Sequence, residues 1–87
     1  MLIMVIETFK AGLKPVGERF ARSGRMLPDN VSYIASWMES SGARCFQIME
    51  APNVKALTPW LDFWGDIVEF EVVPVQTSAD FWAARKG

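Results

Sequence analysis

The spacing of apolar residues changes period several times along the chain, and each change marks an element. Leu2–Phe9 is apolar on both sides of a strand, with Leu2, Met4 and Ile6 opposed to Ile3, Val5 and Phe9. A strand of that kind belongs in the middle of a sheet covered on both faces. From Gly12 to Arg25 the period lengthens, and Leu13, Val16 and Phe20 fall at helical spacing. Pro15 suits the first turn of that helix, and Gly24 suits its end. Leu27-Pro28-Asp29-Asn30 reads as a turn. Val31 to Glu50 returns to alternation on either side of Ser40-Ser41-Gly42, which predicts a hairpin.

Beyond the hairpin, Asn53 is placed to cap a helix. Leu57, Trp60, Leu61 and Trp64 form one apolar stripe of it. Pro59 removes a hydrogen bond inside that stretch, so a kink is expected, or a restart with Thr58 as cap. Gly65 ends the helix. Ile67–Val75 alternates Val68, Phe70 and Val72 against Glu69, Glu71 and Val73, and Pro74 suits an edge strand. Thr77 to Lys86 predicts a short helix with Phe81 and Trp82 buried, Thr77 and Asp80 standing at capping-box spacing.

This order predicts a single α+β domain over residues 1–87, with 77–87 as a C-terminal tail or helix. The arrangement is ferredoxin-like, β-α-β-β-α-β, around a four-stranded antiparallel sheet. Right-handed crossovers put both helices on one face. The other face is also apolar, and a second copy packed sheet to sheet would cover it. The expected partner is therefore the chain itself, as a homodimer.

The hairpin register decides which side chains meet, because a slip of one residue exchanges the faces. A three-residue loop joins Tyr33 and Trp37 with Cys45, Gln47 and Met49. A four-residue loop joins them with Phe46, Ile48 and Glu50. The first is favoured, because it leaves Ile34, Met38, Phe46 and Ile48 as a simple apolar face for the helices. The second would bury Gln47 and Ser36 beneath helices, where unpaired polar groups are costly.

Composition narrows the chemistry. A net charge of −1 argues against a nucleic-acid partner. Basic residues from Lys10 to Arg25 precede acidic ones from Asp62 to Asp80, so the two regions face each other or water. The six-residue apolar start has no basic leader, which predicts neither a signal peptide nor a membrane partner. One cysteine excludes an internal disulfide framework, and a cytoplasmic setting follows as the default. The absence of histidine removes His-based acid–base relays and His-ligated haem or zinc. No metal and no cofactor is expected.

The remaining candidates are few. Glu7 and Glu50 are polar positions on the two expected central strands, where a half-buried carboxylate of raised pKa serves as a general base. Their bland alternative is a salt bridge to Arg25 or Arg44. Tyr33 and Trp37 suit an aromatic pocket, or dimer packing. Gln47 suits the positioning of a ligand carbonyl or hydroxyl. Arg25 suits a ligand carboxylate. Cys45 lacks a histidine base, so a small apolar core residue competes with a nucleophile.

The runs GRMLPDNVSYIASWM, ARCFQIMEAP and PWLDFWGDIVEFEVVPVQTSADFW together resemble a family of short bacterial proteins of unknown function. That family is similar in fold to the dimeric α/β-barrel superfamily. The superfamily includes cofactor-free monooxygenases of aromatic polyketides, small isomerases, haem-binding enzymes and amino-acid-sensing domains. The resemblance implies the fold and a dimer, and the missing histidines count against haem. The expected function is a small-molecule-binding protein, or a cofactor-independent enzyme acting on a small apolar, aromatic or carbonyl compound. The alternative is a non-enzymatic homodimeric sensing or interaction module.

Overall fold

A computed structural model describes residues 1–85. The elements are β1 (Leu2–Phe9), α1 (Leu13–Ser23), β2 (Ser32–Met38), β3 (Arg44–Glu50), a 3₁₀ turn (Val54–Leu57), α2 (Thr58–Trp64), β4 (Val68–Val75) and α3 (Ser78–Ala84). The four strands form one open antiparallel sheet in the order β2-β3-β1-β4, consistent with a ferredoxin-like arrangement. The predicted helix Thr77–Lys86 ends at Ala84, and Lys86 and Gly87 lie outside the described residues.

Local chemistry sets most boundaries. Asn53 accepts a hydrogen bond from the Ala56 amide at 3.0 Å, and so caps the 3₁₀ turn. Pro59 then sits in the first turn of α2, where no amide hydrogen is required. The restart expected at Pro59 occurs, but Thr58 is the first helical residue and Leu57 the cap position, without a side-chain bond. Thr77 accepts from the Asp80 amide at 3.0 Å and starts α3. Pro74 lies on β4, an edge strand paired only to β1. The basic and acidic regions do meet: Arg19 grips Asp66 through two hydrogen bonds of 2.7 Å.

The hairpin departs from the expected register. Gly42, at φ 80°, donates from its amide to the Glu39 carbonyl at 2.8 Å. Glu39 in turn receives the Arg44 guanidinium at 2.8 Å. The loop between them has four residues, 40–43, and Trp37 pairs with Phe46. A bulge between Tyr33 and Ala35 adds a second offset, with Ile34 as the extra residue. Tyr33 therefore parts from Trp37 and pairs with Met49. The three-residue reading is overturned: Phe46 and Ile48 do not lie beneath the helices, whereas Cys45, Gln47 and Met49 do.

Pairing sorts the sheet into two faces. Across one run Ser36, Gln47, Val5 and Val72, then Met38, Cys45, Glu7 and Phe70. This face carries the core of Ile3, Val5, Met49, Leu57, Trp60, Trp64 and Val68. The opposite face presents Ala35, Ile48, Met4 and Val73, then Trp37, Phe46, Ile6 and Glu71. No described element lies over that second face closely enough to bury it: Met4, Ile6, Phe46, Ile48 and Val73 are half-buried, and Trp37 is 58% exposed.

Candidate functional site

The covered face is not packed solid. A cavity of about 280 Å³ lies between the sheet and helices α1 and α2. Its floor is Glu7, Phe9, Ser36, Met38, Cys45, Gln47 and Val68. Val16 and Phe20 of α1 and Trp60 and Trp64 of α2 form the roof, and Arg25 enters from the segment after α1. Gln47 and Ser36 thus lie beneath helices, the placement judged too costly from sequence. The Ser36 hydroxyl offsets that cost with the Tyr33 hydroxyl at 2.7 Å, and the Gln47 Nε2 has the Met49 sulfur at 3.2 Å.

Arg25 is held by its backbone. The Trp64 indole Nε1–H donates to the Arg25 carbonyl at 3.0 Å. Met26, next along, adopts φ 60°, a left-handed conformation that a long side chain rarely takes. This turn brings the guanidinium over the Tyr33 ring, 3.7 Å from its centroid, with the Phe20 ring at 5.4 Å. The Tyr33 hydroxyl lies 2.7 Å from the Ser36 hydroxyl. A line of polar groups then runs from the rim inward: Arg25, Tyr33, Ser36, Cys45 and Glu7.

The inner end holds the titratable chemistry. Burial is the main cause raising the Glu7 carboxyl to a pKa of about 7, partly opposed by a hydrogen bond from Cys45 and by the Arg25 charge. The Cys45 thiol is pushed up to about 11, chiefly by burial and then by the charge of Glu7. It remains a protonated thiol near neutrality and serves as a donor, not as a thiolate nucleophile. Glu7 can hold or release a proton near neutral pH, as a general base requires.

The structure brings together Glu7, Arg25, Cys45 and Gln47 on the cavity wall, with Tyr33 stacked under Arg25 at its rim. It separates two candidates from them. Trp37 points to the opposite face of the sheet. Glu50 lies at the far end of β3 on that same opposite face, and its carboxylate takes the N-terminal ammonium at 3.4 Å. Trp60 and Trp64, whose apolar stripe fits core or interface, are both core and cavity wall. Their helical stripe was visible, but nothing in it distinguished a close-packed ring from one bordering a void.

Among the described residues no group of three or more His, Cys, Asp or Glu side chains is placed to hold a metal ion. No described helix is long and apolar enough to cross a membrane. A family profile described as a domain of unknown function, DUF3303, matches residues 1–87, and the chain belongs to that family. No curated protein and no solved structure matches the chain.

Proposed function

We propose that the protein binds a small aromatic or carbonyl compound in the cavity beneath its helices, and acts on it without a cofactor. The observation that carries this reading is the cavity itself: aromatic walls around a carboxyl whose pKa lies near 7. Apolar walls with a few convergent polar groups are the usual composition of a small-molecule site. In this reading Glu7 is the base that accepts a proton from the bound compound. Gln47 and Arg25 orient it, and the Cys45 thiol steadies the Glu7 carboxylate. Glu50 and Trp37 have no part in the cavity.

A screen of small aromatic and carbonyl compounds by thermal shift tests this reading, run in parallel on Val16→Phe, which fills the roof. Compounds that stabilise the wild type should fail to stabilise the variant. Equal stabilisation of both proteins would place the binding elsewhere and sink the reading.

A second reading is favoured by the uncovered sheet face with exposed Trp37: two copies pack through it into a dimeric α/β barrel. This state is compatible with either a cytoplasmic enzyme or a non-enzymatic sensing module, since the cavity and the open face lie on opposite sides of the sheet.

A further inference from the structure

Left-handed backbone flanks Arg25 on both sides. Gly24 stands at φ 68° and Met26 at φ 60°. Glycine takes that conformation at no steric cost, whereas a long side chain takes it only against strain. Between them, the Arg25 carbonyl receives the Trp64 indole N–H at 3.0 Å. The guanidinium is fixed as well, 3.7 Å from the Tyr33 ring centroid and 5.4 Å from that of Phe20. Local strain of this kind persists where the surrounding structure holds a group in one place.

The side chain so held is unpaired. Arg19 donates to Asp66, Arg44 to Glu39 and Arg85 to the Phe81 carbonyl. Among the described residues the Arg25 guanidinium has no hydrogen-bond acceptor and no ion-pair partner. Stacking occupies the flat face of a guanidinium, and its N–H donors lie in the plane, aimed outward from the edge. Arg25 is half-buried and forms part of the cavity wall. A half-buried cation without an anion is costly, and a planar bidentate anion is the partner its fork matches.

The rest of the cavity sets what carries that anion. A dry cavity of roughly 150 Å³ holds one benzene ring. The volume of about 280 Å³ here suits one ring or two fused rings with a small substituent. The flat side chains of Phe9, Phe20 and Trp64 on its wall favour a planar occupant. Glu7 is the single acid on that wall among the described residues. It lies near enough to sense the Arg25 charge, so it would repel a dianion at Arg25 more strongly than a carboxylate.

We propose that the cavity takes an aromatic monocarboxylate of one or two fused rings, its ring among the aromatic walls and its carboxylate received edge-on by the Arg25 guanidinium. This rests on the cavity being a ligand site. It narrows the ligand to an anion and makes Arg25 the residue that selects it.

The probes 2-naphthoate and 2-naphthamide share a shape and differ in charge. In calorimetric titrations at neutral pH and low salt, 2-naphthoate should bind the wild type about tenfold more tightly than 2-naphthamide. Arg25→Met keeps the apolar stem and removes the charge, and should reduce that preference to about twofold or less. Val16→Phe should abolish the binding of both. Equal affinities in the wild type, or a preference undiminished in Arg25→Met, overturn the carboxylate assignment. If 2-naphthamide still binds the wild type and fails with Val16→Phe, the cavity remains a ligand site. Binding of 2-naphthoate that is undiminished in Val16→Phe puts the anion outside the cavity and overturns the assignment. Failure of both probes to bind also overturns it, and the ligand reading then stands or falls with the thermal-shift screen. If Arg25→Met does not fold, the wild-type Arg25 Nε–H resonance decides. Addition of 2-naphthoate should move it downfield, and a resonance that stays in place overturns the assignment.

Discussion

Glu7 is where the chemistry of the site and the stability of the fold meet. Its carboxyl titrates near pH 7 in the folded chain, against the usual 4.5. Folding therefore takes up a proton between those two values, and stability falls as pH rises through that window. The upper bound of the loss is about 3 kcal/mol, reduced by whatever solvent reaches the carboxyl through the cavity. Glu7→Gln removes the ionisation. It should raise the melting temperature relative to wild type at pH 8, and the difference should fade below about pH 5. A gain that is equal at both pH values would show that burial does not hold the Glu7 proton. Cys45 gives an independent check on the same environment. With its thiol raised to about 11 and its side chain buried, it should react with iodoacetamide far more slowly in native protein than after unfolding at pH 8.

The elements show which parts of this architecture were legible from the chain and which were not. Asn53, Pro59, Pro74 and Thr77 act on neighbours within a few residues, so their roles could be read directly. The hairpin register could not, because it depends on two offsets that no local pattern displays: the four-residue loop and the bulge at Ile34. Both faces of β2 and β3 carry apolar side chains, so alternation alone did not choose between them. The penalty assumed for burying Gln47 and Ser36 favoured the wrong choice, because it took both to be unpaired, whereas Ser36 meets the Tyr33 hydroxyl and Gln47 the Met49 sulfur. Glu7, Cys45 and Gln47 share the covered face, while Trp37 and Glu50 lie on the other. Gly42 is the residue on which the loop turns. A Cβ there would meet φ 80° and the Leu13 Cδ1 at 3.1 Å. Gly42→Ala should cost about 1 kcal/mol or more in urea unfolding. Asn53→Ala should cost about 1 kcal/mol through loss of its cap. A neutral result at Gly42 would mean that the loop adopts another turn.

At the scale of the whole molecule, the described residues of one chain leave the sheet covered on one side only. The row Ala35, Ile48, Met4, Val73 runs across all four strands and the row Trp37, Phe46, Ile6 across three, ending at Glu71 on β4, and their side chains stay partly in water. At the C-terminal end, α3 holds no buried residue, and Trp82 is 66% exposed. A monomer rarely leaves so continuous an apolar surface open. Two copies packed face to face would bury these rows as the core of a sandwich, with Glu71, Glu69 and Arg44 at one end of the interface. Light scattering at micromolar concentration should then give twice the 9.8 kDa chain mass. Ile48→Lys places a charge at the centre of the open face and should return the mass to that of one chain. Because Ile48 and the cavity lie on opposite sides of the sheet, the variant should still bind any compound that the wild-type cavity takes. A wild-type monomer would remove the sheet-to-sheet dimer. A dimer that survives Ile48→Lys would move the interface to the exposed face of α3. Loss of ligand binding together with dimerisation would mean that the cavity keeps its shape only when the second copy braces the sheet from behind.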